Sequence, residues 1–340
     1  MSRILRFSAL VLGACGTFGP RVEKAEIRPS GETVPVSSED DAADDPAIWV
    51  NTDAPDKSLI FGTDKQLGLY AYNLAGEEVQ FLPLPRPNNV DIEQGMTIGS
   101  LTGDFGVTSN RGDQTFSILQ IGPNGAEEIG RLAAATPEPY GICLGTDPSP
   151  VVAITHKTGE VDVYAVRYDG AFSAERIGTG HAPGVQMEGC VFDEAHHALY
   201  VGLEPFGIVR FDTRNLASTD EPVVVDRIGG ASGLKADIEG LALYKTGRLS
   251  GYLLASVQGD NSFAAYDRET GALAGRFKIV DGPVADGVRE TDGIDATSAD
   301  LGPDYPKGIF VAQDGFNDDG LQNFKIVDWR SIERVLTPTE

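Results

Sequence analysis

Short stretches of alternating apolar and polar residues recur along the chain, each followed by a turn rich in Gly, Asn or Asp. Six of these stretches look alike: GLYAYNLAGEEV (68–79), TFSILQIGPNGAEE (115–128), EVDVYAVRYDGAF (160–172), GIVRFDTRNL (207–216), FAAYDRETGALAGRF (263–277) and FKIVDWRSIERV (324–335). A period of two residues is typical of a half-buried β-strand, and no stretch with a helical period exceeds about ten residues. The pattern therefore predicts an all-β protein.

The six stretches are spaced like the units of a repeat. Markers at equivalent places are 49, 45, 45, 55 and 61 residues apart, namely Tyr72, Ile121, Val166, Phe211, Tyr266 and Val327. A repeat of about 45 to 60 residues fits one four-stranded blade of a β-propeller. We therefore expect a six-bladed β-propeller with four-stranded antiparallel blades over residues 39–340. An irregular pair of β-sandwiches is the alternative.

The N-terminus has the features of an export signal. Arg3 and Arg6 stand ahead of a short apolar run, Phe7 to Leu12, and small residues follow up to Cys15. This order predicts a signal over residues 1–15. The tetrapeptide ending at Cys15 also resembles a bacterial lipoprotein cleavage site, after which the Cys carries lipid; an ordinary cleaved signal is the alternative. We expect a periplasmic or outer-membrane lipoprotein, or an extracellular protein, that touches a membrane only through this lipid.

Residues 16–38 are polar, contain Gly and Pro, and lack any periodicity, so they predict a flexible tether. The two remaining cysteines, Cys143 and Cys190, leave two alternatives open. An oxidising compartment permits a disulfide, and two separately buried thiols are the other possibility.

Charge narrows the possible partners. The 340 residues include 51 acidic and 27 basic side chains, for a formal net charge of −24. Such a field repels nucleic acid and favours cations. Nucleic-acid binding is therefore excluded as a function class.

Acidic and amide groups gather in loops beside the predicted strands, about once per repeat. The five groups are Asp44-Asp45, Glu188, the Asp237/Glu239 pair, Asp292 with Asp295, and Gln313-Asp314 with Asn317. Equivalent loops of a propeller converge at one end of the central channel. Converging carboxylates repel each other unless a hard cation neutralises them, and Ca²⁺ prefers oxygen ligands. The pattern predicts a metal cluster, although each loop alone also fits ordinary turn chemistry.

Four polar or basic groups could hold an anion: Lys65, Arg111, Tyr140 and Lys157. The four His residues lack metal spacing and the order of a catalytic triad, which disfavours a His-based nucleophilic mechanism.

The order and spacing of many segments resemble the β-propeller phytases, the alkaline calcium-dependent class, from Asp44 to Trp329. The matching segments include DDPAIWV (44–50), GTDKQLGLYAYNLAG (62–76), NNVDI (88–92), SNR (109–111), KTGEVDVY (157–164), EGCVFDE (188–194), ADIEGLALY (236–244), SVQGDNSFAAYDR (256–267), TDGIDATSADLGPDYPKGIFVAQDGFNDD (291–319) and QNFKIVDW (322–329). The resemblance implies six blades, several Ca²⁺ ions at the channel mouth, and release of phosphate from phytate (myo-inositol hexakisphosphate) by metal-activated water. It also implies a small phosphorylated substrate, or its calcium complex, and we expect a monomer.

The resemblance assigns roles to individual residues. It implies metal ligands and water-positioning carboxylates at Asp45, Glu188, Glu204, Asp237, Glu239 and Asp295. Further calcium ligands are implied at Asp292, Gln313, Asp314 and Asn317, and phosphate contacts at Lys65, Tyr140 and Lys157. Asp237, Glu239 and Glu188 are the candidates for orienting the attacking water, and Arg111 is a further phosphate-binding candidate.

Two departures from the family pattern bear on function. The NNVD segment is expected to lead to an Arg that contacts phosphate, but Glu93 follows it, and Leu203 stands before Glu204 where the family has a second Glu. These departures keep open a non-catalytic calcium-binding propeller that serves as an interaction module. A calcium-dependent lactonase or sugar-acid hydrolase is a third hypothesis.

Overall fold

The computed structural model describes residues 22–134, 138–146, 149–181, 185–216, 221–317 and 320–336. Within them, six β-sheets form six blades. The strands are β1 (Lys24–Ile27), β2 (Gly31–Glu32), β3 (Ala43–Trp49), β4 (Leu59–Asp64), β5 (Gly68–Asn73), β6 (Glu78–Pro83), β7 (Pro87–Ile98), β8 (Leu101–Asn110), β9 (Thr115–Gly122), β10 (Gly125–Ala133), β11 (Ile142–Gly145), β12 (Val151–Thr155), β13 (Glu160–Tyr168), β14 (Phe172–His181), β15 (Met187–Asp193), β16 (Ala198–Leu203), β17 (Gly207–Asp212), β18 (Val223–Arg227), β19 (Ile238–Lys245), β20 (Gly251–Val257), β21 (Ser262–Asp267), β22 (Leu273–Ile279), β23 (Ile294–Thr297), β24 (Ile309–Asp314) and β25 (Asn323–Asp328).

Blades 1 to 5 each use four consecutive strands, starting with β3, β7, β11, β15 and β19, and blade 6 uses β23, β24, β25 and β2. The first strand of every blade packs against the first strand of the next, and β23 of blade 6 packs against β3 of blade 1. The ring is therefore closed, with six inner strands around a central channel. Helical structure among the described residues is limited to α1 (Trp329–Glu333) and the 3₁₀ turns Pro55–Lys57, Glu194–His196, Thr213–Asn215 and Gln258–Asp260. The prediction of a six-bladed all-β propeller is confirmed.

The N-terminal segment adds outer strands to blades 5 and 6, so the prediction of a flexible tether is wrong for its described part. β2 pairs antiparallel with β25, with Gly31 opposite Ile326, and supplies the fourth strand of blade 6. β1 pairs parallel with the outer strand β22 of blade 5. Backbone pairing with two open sheet edges orders this segment, although its side chains are mostly polar. The propeller therefore begins at Lys24 and not at residue 39; residues 16–21 lie outside the described part of the chain.

The core consists of six apolar clusters, one at each junction between neighbouring blades. At the junction of blades 5 and 6, for example, the ring centroids of Phe263, Phe277 and Phe310 lie 5.0 to 5.7 Å apart. Burial of these side chains between sheets is what holds the blades together. The alternating apolar residues that the sequence pattern shows are those that pack between neighbouring blades.

A disulfide joins Cys143 of β11 to Cys190 of β15, with 5.8 Å between the Cα atoms. It links the inner strands of blades 3 and 4, and it decides between the two alternatives that the sequence left open. Over the described residues, no helix has the length and apolar character to cross a membrane. Cys15 and the predicted signal lie outside the described residues.

Candidate active site

Each inner strand begins at the same channel mouth with a pair of residues that leaves the regular strand ladder. The six pairs are Asp44-Asp45, Asn88-Asn89, Tyr140-Gly141, Glu188-Gly189, Glu239-Gly240 and Asp292-Gly293. Four of them fall within a shift of the pairing register, and the other two directly precede their strand. Such bulges re-aim side chains. The first residue of each pair thus belongs to a ring of six polar side chains around the mouth.

A second ring comes from the loops between the second and third strands of the blades. Blades 1 to 3 supply Lys65, Arg111 and Lys157, and blades 4 and 5 supply Glu204 and Gln258. Cationic groups therefore gather on one half of the mouth and a carboxylate on the other. A cavity of about 580 Å³ lies here, and its lining includes Lys65, Tyr140, Glu188, Glu239 and Asp292.

Three carboxylates meet on the acidic half. Glu188, Glu204 and Glu239 each place one oxygen within 4.8 Å of the others. Burial, followed by the charge of Glu188, raises the pKa of Glu239 well above its usual range. The same two causes raise the pKa of Glu204 to about 7. Like charges this close in a buried site cannot all ionise without a cation.

One buried oxygen of this cluster lacks a hydrogen-bond donor among the described residues. Glu239 Oε2 is buried and, within the described part of the chain, has no hydrogen-bond partner. A buried acceptor without a partner is unfavourable unless something else binds it. An all-oxygen donor set of this kind suits Ca²⁺, which takes six to eight oxygen ligands. The residues present therefore fit the metal that the sequence predicts.

Lys65 is held inside a group of carboxylates. Its ammonium lies 2.6 Å from Asp41 Oδ1, 2.9 Å from Asp44 Oδ1 and 3.2 Å from Asp292 Oδ2. Burial alone would lower the pKa of Lys65, but the three carboxylates outweigh it and raise that pKa above its usual range. Burial raises the pKa of Asp292 to about 6, although Lys65 opposes the change. Lys65 is thus a fixed positive charge between the two halves of the mouth.

The cationic half is arranged around Tyr140. The Lys157 ammonium lies 4.3 Å from the centroid of the Tyr140 ring, and the Arg111 guanidinium lies 5.8 Å from it. Arg111 also donates to Asn88 Oδ1 at 3.0 Å and to Glu138 Oε1 at 3.2 Å. Three of the four predicted phosphate-binding residues are therefore adjacent, and the fourth, Lys65, lines the same cavity as Tyr140.

Asn88 connects the two halves. Its side-chain amide donates to Asp44 Oδ2 at 2.9 Å and to Glu188 Oε1 at 2.8 Å, while its carbonyl accepts from Arg111. Sequence reasoning gave Asn88 no role, and it included Asp44 only within the acidic group Asp44-Asp45. The signal was present, because each is the first residue of the pair at the start of an inner strand, as Glu188 and Glu239 are. Gln186 and Gln258 were also missed; they donate to Glu204 and Asp292.

Several predicted ligands have other partners. Asp45 Oδ2 accepts from the Val90 amide at 3.2 Å, on the blade 2 side of the pair. Asp237 precedes β19 and is near enough to Glu204 to raise its pKa. Gln313 Oε1 accepts from the Asp292 amide at 2.9 Å, and its amide nitrogen donates to the Ala43 carbonyl at 3.2 Å.

Asp314 and Asn317 lie beside an internal cation. The wholly buried ammonium of Lys325 lies 3.2 Å from Asp314 Oδ2 and donates to Asn317 Oδ1 at 2.9 Å. It also contacts Glu32 and Asp286. These oxygens therefore already have a positive partner, and only Asn317 of the two predicted ligands lines the cavity at the mouth.

Asp295 and Glu93 lie elsewhere in the channel. Both line a second cavity of about 280 Å³ together with Asp91 and Lys245. Asp295 Oδ2 accepts from the Ile48 amide at 2.7 Å. Glu93, which stands where the family pattern leads to an Arg, lines this second cavity and not the cavity at the mouth. Arg111 lies at the mouth, beside Tyr140 and Asn88.

The chain is similar to known proteins over most of its length. The Phytase family model matches residues 5–339. The chain is 37% identical over 324 residues to the 3-phytase of Bacillus subtilis (strain 168), with 90% of this chain and 84% of that protein covered. A chain of the mitotic checkpoint complex crystal structure shares the fold at a TM-score of 0.52 and 14% identity, over 96% of this chain and 84% of its own length. The chain therefore belongs to the phytase family of enzymes.

Proposed function

We propose that this phytase releases phosphate from phytate in a calcium-dependent reaction at the channel mouth. The observation that carries the proposal is the group of Glu188, Glu204 and Glu239, each of which places one oxygen within 4.8 Å of the others. Among the described residues, Oε2 of Glu239 has no hydrogen-bond partner. The 3-phytase relative supports phytate as the substrate. Hydrolysis of phosphate esters is the activity for which this family of enzymes is named.

The carboxylates of the acidic half would hold calcium: Glu188, Glu204 and Glu239, with Asp44, Asp237 and Asp292 beside them. When bound, Ca²⁺ supplies positive charge that neutralises these carboxylates and the phosphate, and it makes water a better nucleophile. Ligands must lose their protons to bind metal. The raised pKa of Glu239 therefore means that binding is accompanied by proton release.

The chain's own residues have three tasks. Arg111 and Lys157 hold phosphate oxygens on the cationic half, and Arg111 offers a planar, permanently charged fork to them. The Tyr140 ring fixes the direction of both cations. On the acidic half, a carboxylate of Glu188, Glu239 or Asp237 orients the attacking water and accepts its proton, so no covalent intermediate with the protein is needed.

We also propose that the protein is exported and carries lipid at Cys15. The order of charged, apolar and small residues before Cys15 supports this. The Cys143–Cys190 disulfide is what an oxidising compartment favours. Mass spectrometry of the membrane-extracted protein tests the proposal, and an unmodified N-terminus at another residue would refute it.

The test of the catalytic proposal is phosphate release from phytate with calcium and with a chelator. We expect release with calcium, loss of release on chelation, and recovery when calcium is restored. Glu239→Gln keeps the shape of the side chain and removes the charge, so it should abolish release at low calcium. Glu127→Gln, an exposed change on the outer strand β10, is the matched control and should keep wild-type activity. Equal release with and without calcium would refute the calcium dependence.

A further inference from the structure

One position recurs in every blade, opposite the pair of site residues. This position lies on the second strand of each blade and faces the pair of site residues on the first strand. In each blade it directly follows the second-strand residue that pairs with the first strand just after the site pair. Those preceding residues are Gly62, Thr108, Ile154, Val201, Ala255 and Ala312. Five blades have a buried polar side chain there: Thr63, Ser109, Thr155, Ser256 and Gln313. Each is 1% exposed or less. Blade 4 has Gly202.

Thr155 shows what this side chain does. Its hydroxyl accepts a hydrogen bond from the Gly141 amide at 2.9 Å, directly after Tyr140 in its own blade. The same hydroxyl donates to the Glu188 carbonyl of the next blade at 2.7 Å. One oxygen atom therefore joins a residue of the cationic half to a residue of the carboxylate cluster.

The same bridge, made by one hydroxyl, recurs at two other junctions. Thr63 accepts from the Asp45 amide at 3.0 Å and donates to the Asn88 carbonyl at 2.6 Å. Ser256 accepts from the Gly240 amide at 2.9 Å and donates to the Asp292 carbonyl at 2.8 Å.

Ser109 and Gln313 make the bridge at two more junctions, and their hydrogen-bond partners again belong to neighbouring blades. Ser109 accepts from the Asn89 amide at 3.1 Å and donates to the Tyr140 carbonyl. Gln313 makes the corresponding bridge from the Asp292 amide to the Ala43 carbonyl with its longer side chain. The polar bridge therefore spans five of the six junctions.

The sixth junction lies inside the carboxylate cluster, between Glu188 and Glu239. A Cβ atom at Gly202 would lie 3.0 Å from the Glu239 carbonyl, so a larger residue would crowd this carbonyl. Glu188 and Glu239 are instead fixed from the two neighbouring junctions, where Thr155 holds the Glu188 carbonyl and Ser256 holds the amide after Glu239.

We propose that five buried side chains are positioning residues that set the spacing of the site ring: Thr63, Ser109, Thr155, Ser256 and Gln313. Apolar packing between blades is not directional, whereas a hydrogen bond restricts both distance and angle. Each bridge fixes the backbone from which a site side chain departs. This proposal rests on the proposed function only for its effect on calcium binding and catalysis.

The test uses Thr155→Val, which removes the hydroxyl and keeps the shape, with Thr155→Ser as the conservative variant. Without the hydroxyl, the Gly141 amide and the Glu188 carbonyl lose their partner. We expect amide hydrogen exchange at Gly141 to become at least about tenfold faster, because an amide without its acceptor is no longer protected. Calcium affinity, measured by calorimetry with calcium alone, and kcat/KM should each fall by about tenfold or more. Thr155→Ser should restore all three.

The control is Thr213→Val. Thr213 is also buried, and its hydroxyl has no hydrogen-bond partner among the described residues, so the same chemical change should leave exchange, calcium affinity and activity at wild-type values. Ser109→Ala repeats the test at another junction, where Asn89 exchange is the readout, and keeps the proposal testable if Thr155→Val does not fold.

Two results would overturn the proposal. One is a lowered melting temperature with unchanged Gly141 exchange and calcium affinity, which would make Thr155 a purely structural residue. The other is a loss in Thr155→Val that Thr155→Ser does not restore. Failure of the proposed function is distinguishable, because wild-type protein would then release no phosphate while hydrogen exchange still reports on the bridges.

Discussion

The Lys65 ammonium lies 2.9 Å from Asp44 Oδ1, and the side chains are only 10% and 2% exposed. Asp41 and Asp292 contact the same ammonium. Lys65 therefore neutralises part of the acidic mouth from within the protein. A bound divalent cation would act on the same carboxylates, so the two positive charges are partly interchangeable.

We predict that Lys65→Met is more destabilising without calcium than with it. Removing one partner of a buried ion pair leaves an uncompensated charge and costs about 3 to 5 kcal/mol. Calcium at the mouth offsets part of that charge. Thermal unfolding in chelator and in calcium measures the difference. Lys307→Met is the matched control, because Lys307 pairs with Glu333 on the surface, where a pair contributes about 0 to 1 kcal/mol. An equal loss in both conditions would contradict the prediction.

Substitution of Arg111 should change KM for phytate, whereas substitution of Glu93 should not. Arg111→Ala removes the guanidinium beside Tyr140 and Asn88, and we expect KM for phytate to rise and kcat/KM to fall by about 10- to 100-fold, the worth of one or two charged hydrogen bonds. Glu93→Gln should leave KM unchanged, because Glu93 lines the second cavity. Initial rates at saturating calcium decide the question.

Arg131→Ala controls for the loss of any arginine. Arg131 pairs with Glu128 and Asp113 on the outer part of blade 2, so its removal should not alter KM. A change of KM in Glu93→Gln that equals the change in Arg111→Ala would show that Glu93 belongs to the phosphate site after all.

The strands could be predicted because blade burial imposes a period of two residues on the sequence. The N-terminal strands β1 and β2 could not be predicted, because they are short and mostly polar and are ordered by backbone pairing with β22 and β25. Such pairing leaves no periodic trace in the side chains. The tether prediction failed for this reason.

The residue types of the site could be predicted from the sequence, but the position of each residue along the channel could not. Residues advance about 3.4 Å each along a strand, so five residues separate Asn88 from Glu93 by about 17 Å. The motif that contains both therefore runs from the mouth, where Asn88 donates to Glu188, to the second cavity, which Glu93 lines. The same argument separates Asp292 at the mouth from Asp295, about 10 Å further along. Sequence spacing shows that such residues share a strand, but not which end of it forms the site.

The disulfide should contribute strongly to stability. It closes a loop across a sequence separation of 47 residues, and loop-closure entropy for this length corresponds to about 4 kcal/mol. We expect the double variant Cys143→Ala with Cys190→Ala to lose about that much free energy of unfolding, measured by urea denaturation. A reductant should destabilise the wild type to the same level and leave the double variant unchanged. Wild-type stability that does not respond to reductant under unfolding conditions would argue against the bridge.

The last prediction concerns pH and the second cavity. Burial, followed by the charge of Glu194, raises the pKa of Glu93 to about 8, although Lys245 opposes the shift. The folded protein therefore keeps a proton on Glu93 that the unfolded chain releases near its usual pKa of about 4.3. Between these two values the folded state binds more protons, so the free energy of unfolding falls as pH rises.

Glu93→Gln imitates the protonated side chain at every pH and removes this dependence. We expect its melting temperature, relative to wild type, to rise steadily from pH 5 to pH 8.5 in the presence of chelator. The carboxylates at the mouth also titrate, but they are present in both proteins and cancel in the difference. Glu127→Gln on the exposed face of blade 2 should show a constant difference over the same range. If Glu93→Gln also gives a constant difference, Glu93 is ionised throughout, and the second cavity is open to solvent or neutralised by Lys245.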